Sequence, residues 1–165
     1  MFVLGIDPGL TRCGYGAVRN DGGRLRAEAA GVLTTPAAAA LPARLGELQR
    51  GVRALLAELR PDAVAVERVF FQSNVRTAMS VGQASGVVLA EAVAAGCTVV
   101  EYTPTQVKAA VTGSGSADKA QVQRMVRSLL GLAELPRPAD AADALALAIC
   151  HLAAAPLQAR VGAAR

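Results

Sequence analysis

The sequence predicts a single α/β domain, with a mixed sheet that opens as an antiparallel three-strand meander, continues in parallel strands and carries helices on both faces. Three observations predict it. Apolar strand-like runs separated by turn signals fill the first thirty-five or so residues. Helix-period segments then alternate with short apolar runs, as they do when crossover helices join parallel strands. The chain of 165 residues suits one domain that buries its own core without disulfides or structural metal.

Each element has its own signal. Phe2 to Asp7 (FVLGID) reads as a buried strand, Pro8-Gly9 as a turn, and Gly14 to Val18 (GYGAV) as the returning strand. The Asn20-Asp21-Gly22-Gly23 turn signal places a third strand within Arg24 to Thr35. From Pro42 to Leu59, Leu45, Leu48, Val52, Leu55, Leu56 and Leu59 recur at helical spacing, and Arg60-Pro61 ends the helix. Ala63 to Phe71 reads as a buried strand, Asn74 to Ala95 as a long helix rich in small residues, and Thr98 to Tyr102 as another strand. A helix starting near Pro104, a loop at Gly113 to Ser116, a helix from about Asp118 to Leu130, a turn at Pro136 to Pro138 and an Ala-rich helix from near Ala139 complete the domain. The domain is expected to span residues 1–155, and residues 156–165, which lose apolar periodicity, are expected to form a flexible basic tail. No internal repeat is present.

Composition narrows the function. Hydrophobic residues make up 53% of the chain, but its apolar runs are broken well short of the ~18 residues of a membrane span, which predicts a soluble protein. The N-terminus enters a strand directly, with neither a basic region nor a small-residue cleavage site, so secretion is not expected. Cys13, Cys97 and Cys150 are odd in number and form no C-x-x-C, which suits a reducing cytoplasm and suggests neither a disulfide framework nor a zinc site. The net charge of +4 and the pI near 9.4 favour polyanionic partners.

Four acidic residues carry the chemistry. Asp7 ends a buried strand, where a carboxylate is costly unless something positive pairs with it; capping of the Pro-Gly turn is the alternative role. Glu67 interrupts an apolar strand, a costly place for an acid, and pairing with Arg68 is its plain structural explanation. Asp140 and Asp143 lie three residues apart at a helix start, on one face, where either alone would complement the helix dipole. Together the four offer hard oxygen ligands of the kind that magnesium takes, with positions left open for water and phosphate. Two ions ~3.5 to 4 Å apart would stabilise the attacking and leaving oxygens of an in-line displacement at phosphorus, so phosphodiester hydrolysis is the natural reaction. Setting these four acids aside raises the formal charge of the remainder from +4 to +8, the balance of a nucleic-acid binder.

In order and spacing, GIDPGLTRCGYGAV, ERVFF, QVKAAVTGSGSADKAQVQRMVRSLL and DAADALALAI resemble the RuvC family of Holliday junction resolvases, over most of the chain. The resemblance implies an RNase H-like fold, with Asp7, Glu67, Asp140 and Asp143 on the family's metal-binding acids, Mg2+ as the cofactor and Mn2+ as its substitute. It also implies a structure-selective endonuclease that resolves four-way junction DNA in recombination and repair. Lys108 and Lys119, the only lysines, bracket the GSGSAD loop and resemble the family's functional lysines; Lys119 is set with the catalytic acids, and Lys108, Lys119 and Ser116 are set as DNA contacts. A lysine here would bind the scissile phosphate, whereas a solvated surface role is the alternative. Of Phe70 and Phe71, adjacent in a strand and so facing opposite ways, the resemblance selects Phe70 as the residue that stacks on an unpaired base. Gln72, Ser73, Asn74 and Arg76 would line the same mouth, with helix capping an alternative for Ser73 or Asn74. His151, eight residues beyond Asp143 on the same helix, is too far along to be a ligand.

A junction's two-fold symmetry calls for a C2 homodimer, and the long helix with Gly82, Ala84, Ser85, Gly86 and Ala90 resembles the family's dimer helix; packing on its own sheet explains the same residues. RuvA and RuvB as partners, and a preference for particular short cut sequences, follow from the resemblance alone. Three rival readings are an ATP-binding actin or sugar-kinase lobe, another RNase H-like nuclease acting on RNA or hybrid, and a non-catalytic junction binder. Against the first, 165 residues supply only one lobe; against the second, the Phe70 neighbourhood and the GSGSADK loop favour junction DNA; and the third leaves four acids unexplained.

Overall fold

The computed structural model describes residues 1–68 and 75–162, with side chains described for 1–68 and 78–155. Its elements follow the chain as β1 (Phe2–Asp7), β2 (Arg12–Asp21), β3 (Arg24–Thr34), α1 (Leu41–Leu59), β4 (Ala63–Glu67), α2 (Val75–Ala94), β5 (Thr98–Tyr102), α3 (Pro104–Thr112), α4 (Lys119–Leu130) and α5 (Ala139–Gly162). The sheet order is β3-β2-β1-β4-β5. β1 to β3 form the antiparallel meander, and β4 and β5 add in parallel to β1, as the alternation of strands and helices predicts. β2 and β3 run several residues longer than their apolar centres, because each completes the other's backbone hydrogen bonds out to Asp21 and Arg24 beside the Gly22-Gly23 turn.

Strand alternation sorts the core into two layers. On one face Val3, Ala63 and Ala65 meet α3, α4 and α5 through Val107, Val122, Val126, Leu145 and Ile149. On the other Leu4, Ile6, Val64 and Val66 meet α1 and α2 through Leu48, Val52, Leu56, Ala84 and Val88. Helices thus cover both faces, as expected. No helix among the described residues is long and apolar enough to cross a membrane.

Two local devices position the functional end. Capping boxes fix the starts of α3 and α4: Thr103 and Gln106 exchange side-chain and backbone hydrogen bonds, as do Asp118 and Gln121. Glycines in the strands admit α5. A Cβ on Gly5 would lie 1.9 Å from the Ala144 carbonyl oxygen, and one on Gly14 would lie 2.3 Å from that of Asp140, so α5 rests directly on the backbones of β1 and β2. α5 itself continues through Pro156 to Gly162, past the boundary at residue 155, since the Ala, Leu, Gln and Arg that follow are good helix formers.

Candidate active site

The strand register brings the acids together. Asp7, at the end of β1, pairs with Gly14 of β2. The parallel pairing of Ile6 with Val66 puts Glu67 beside Asp7 at the same end of the sheet. By alternation Asp7 shares a face with Val3, and Glu67 with Ala63 and Ala65, which is the face that α5 covers. Because Gly14 lets the first turn of α5 down onto β2, Asp140 and Asp143 arrive over the same strand ends.

Burial and mutual repulsion dominate the electrostatics there. Asp7 is pushed up to about 6 by burial and then by the charges of Asp143 and Asp140, with Lys119 opposing. Glu67 is pushed up to about 7 by burial, Asp7 and Asp143, again against Lys119. Among the described residues no ion pair with Arg68 holds Glu67. The two acids of α5 instead each have a cation. Lys119 Nζ donates to Asp143 Oδ2 at 2.7 Å, and Arg12 donates to Asp140 Oδ2 through Nε at 3.1 Å and Nη2 at 2.8 Å. The Arg12 bond holds Asp140 below the usual carboxylate range, and the Asp143 bond raises Lys119. Lys119 is the first residue of α4, where the helix dipole disfavours a cation, so its attraction is to the acids opposite. Burial pushes the Cys13 thiol up to about 12, which disfavours the thiolate that a nucleophile needs.

Glu67, Asp143, Lys119 and Lys108 line one cleft of about 270 Å³, walled by Pro104, Val107, Val122, Ala146 and Leu147. Both lysines of the chain therefore share a cleft with Glu67 and Asp143. Ser116 lies elsewhere: it lines a separate groove with Thr112, Ser114, Gln121 and Arg124, and its hydroxyl is 3.0 Å from that of Ser114. Phe70 and Phe71 fall outside the described residues, as do Gln72, Ser73 and Asn74 and the side chain of Arg76. His151 is buried, with Nδ1 2.9 Å from the hydroxyl of Tyr102, the residue that pairs with Glu67 across β4 and β5. Sequence reasoning passed over Arg12, which looks like an ordinary exposed arginine; its signal is the position two residues before Gly14, the partner of Asp7.

The donor set fits divalent cations that prefer oxygen: four carboxylates on one end of the sheet, two of them desolvated and repelling one another. Among the described residues no three acidic, histidine or cysteine side chains form a metal-binding cluster as they stand, with Arg12 and Lys119 each engaging one acid.

Residues 3–151 match the family model described as crossover junction endodeoxyribonuclease RuvC. The chain is 59% identical to the crossover junction endodeoxyribonuclease RuvC of Frankia alni over 99% of its length and 84% of that protein's. It is 56% identical to that of Chloroflexus aggregans over 98% of its length and 99% of that protein's. Thermus thermophilus RuvC in complex with a Holliday junction substrate superposes with a TM-score of 0.91, at 43% identity over 96% of both chains. A yeast mitochondrial Holliday junction resolvase, 15% identical with a TM-score of 0.68 over 92% of this chain and 77% of its own, shares the fold. A family match across nearly the whole domain and relatives this similar from end to end leave one conclusion: the chain belongs to the RuvC family, and its fold is RNase H-like.

Proposed function

We propose that this protein resolves four-way DNA junctions by metal-dependent phosphodiester hydrolysis, nicking two strands symmetrically in recombination and repair. The observation that carries the reading is the convergence of Asp7, Glu67, Asp140 and Asp143 on one end of the sheet, with Glu67 and Asp143 lining a cleft together with both lysines. The similarity to a RuvC that binds a Holliday junction substrate supports the choice of DNA.

In this reading the four carboxylates hold two Mg2+ ions, with Mn2+ able to replace them. Bound there, such ions polarise the scissile phosphate and lower the pKa of an attacking water. The chain's own residues supply the rest. Asp7 and Glu67, fixed on strand ends, hold the donor set rigid. The Lys119 ammonium, now 2.7 Å from Asp143, is placed to bind a non-bridging phosphate oxygen when the acids are otherwise engaged, and Lys108 adds a second positive charge in the cleft. Phe70 stacks on an unpaired base, and Phe71, Arg76 and Ser116 contact the strands farther out.

The working form is a C2 homodimer in the cytoplasm, with one site per subunit for each of the paired cuts, acting with RuvA and RuvB. Residues 1–155 are the nuclease, and 156–165 a basic appendage. The test is cleavage of a labelled synthetic four-way junction beside linear duplex and RNA-DNA hybrid, in Mg2+ and in EDTA. Paired symmetric nicks in the junction alone are expected; cleavage only of duplex or hybrid would keep the nuclease and remove the junction.

A further inference from the structure

Arg12 stands on one of the proposed metal ligands. The Pro8-Gly9 turn sets its backbone, for a Cβ on Gly9 would lie 2.2 Å from the Arg12 carbonyl oxygen and only glycine permits so tight a return. From there two guanidinium nitrogens converge on the single oxygen Asp140 Oδ2. The pair is at the mouth of the site, with side chains 47% and 30% exposed. A second guanidinium lies along the same rim: Arg44 donates through Nε to Thr35 Oγ1 at 2.9 Å and through Nη2 to the hydroxyl of Thr11, the residue before Arg12, at 2.7 Å. Both of these partners are neutral hydroxyls, and among the described residues Arg44 makes no ion pair with an acid.

A carboxylate oxygen that takes both guanidinium bonds cannot also serve a dication without setting like charges a few ångströms apart, a repulsion that partial burial strengthens. A DNA phosphate offers the displaced guanidinium the same planar, two-pronged acceptor. We propose that Arg12 is a metal-gated phosphate ligand. In the free protein it occupies Asp140; when a divalent cation takes Asp140, the guanidinium swings out beside Arg44 and binds the backbone of the incoming strand. Metal and DNA then favour each other through one side chain, and by linkage the coupling runs both ways. This rests on the metal reading of the four carboxylates.

Arg12→Gln and Arg12→Lys in the full-length protein test it. Calorimetric titration with Mn2+ in the absence of DNA is expected to show Arg12→Gln binding about fivefold more tightly than the parent, the release of a half-exposed ion pair. Junction binding is then measured in EDTA and in Ca2+ over a range of salt. In EDTA the parent and Arg12→Gln bind alike, because Arg12 is held by Asp140. In Ca2+ the variant binds more weakly, and its log-log salt slope is shallower by about one phosphate contact. Arg12→Lys, which keeps the charge and loses the fork, falls between them. Equal Mn2+ affinity in parent and Arg12→Gln, or a binding deficit of the same size with and without Ca2+, overturns the proposal alone. A parent that binds no Mn2+ overturns the metal reading and this proposal with it.

Discussion

Replacing Asp7 with asparagine should stabilise the metal-free protein while destroying its activity. With burial and two neighbouring acids pushing Asp7 up from 3.8 to about 6, the folded protein binds this proton more tightly than the unfolded chain does. Ionising Asp7 therefore costs stability: the loss begins near pH 4, grows to about pH 6 and is constant above. Two pKa units correspond to about 3 kcal/mol. Allowing for the repulsion shared with Glu67, roughly 2 kcal/mol falls to Asp7, or about 4–8 °C in Tm for a chain of this size. The assay is thermal unfolding of parent and Asp7→Asn in EDTA from pH 4 to pH 8. The variant's advantage should be small at pH 4, widen through pH 6 and level off. His151, which burial pushes down, acts in the opposite sense but equally in both proteins, so it cancels from the difference. Saturating Mg2+ should reverse the order, because only the parent retains the full ligand set. A variant no more stable than the parent at pH 8 in EDTA, or an advantage independent of pH, would refute the electrostatic account of the site.

Gly14→Ala is expected to lower Tm and cleavage together, since its Cβ would meet the Asp140 backbone oxygen at 2.3 Å; about 3 kcal/mol is lost in denaturant unfolding as the start of α5 is pushed off the strand. Tyr102→Phe removes the hydroxyl 2.9 Å from His151 Nδ1 and leaves a buried ring nitrogen without that partner, costing about 1–3 kcal/mol in the same measurement with cleavage per folded molecule unchanged. Glu91→Gln breaks the contacts of that carboxylate with Arg53 and Gln49 between α1 and α2. Bonds from Arg53 and then Gln49 hold Glu91 down at about 2, so its contribution is present above pH 4.5 and lost as pH falls toward 2. The Tm gap to the parent should therefore narrow over that range.

Most of the fold could be read in the sequence because its signals are local. β1 and β5 have the bounds that their apolar runs predict, and α3 and α4 begin at Thr103-Pro104 and Asp118 because their capping residues lie within four positions of each other. Asp7 and Glu67 stood out as acids placed at a cost in apolar strands, and Asp140 and Asp143 as a same-face pair. What escaped depends on contacts between distant segments. Gly5 and Gly14 look like weak strand residues until α5 is seen resting on them. Arg12 has no acidic neighbour in sequence, and its partner Asp140 lies 128 positions away. Ser116 and Lys119, three residues apart, line different grooves, because the turn into α4 separates their side chains.

The central claim is that four carboxylates act as one metal-binding unit that cuts junction DNA. Its most direct test is junction cleavage in Mg2+ by Asp7→Asn, Glu67→Gln, Asp140→Asn and Asp143→Asn, each checked for folding and for junction binding. Every variant should bind the junction and lose cleavage by about a hundredfold or more, a loss of at least ~2.7 kcal/mol in transition-state stabilisation. Folded variants that cut at near the parent's rate after losing any one of the four would contradict it.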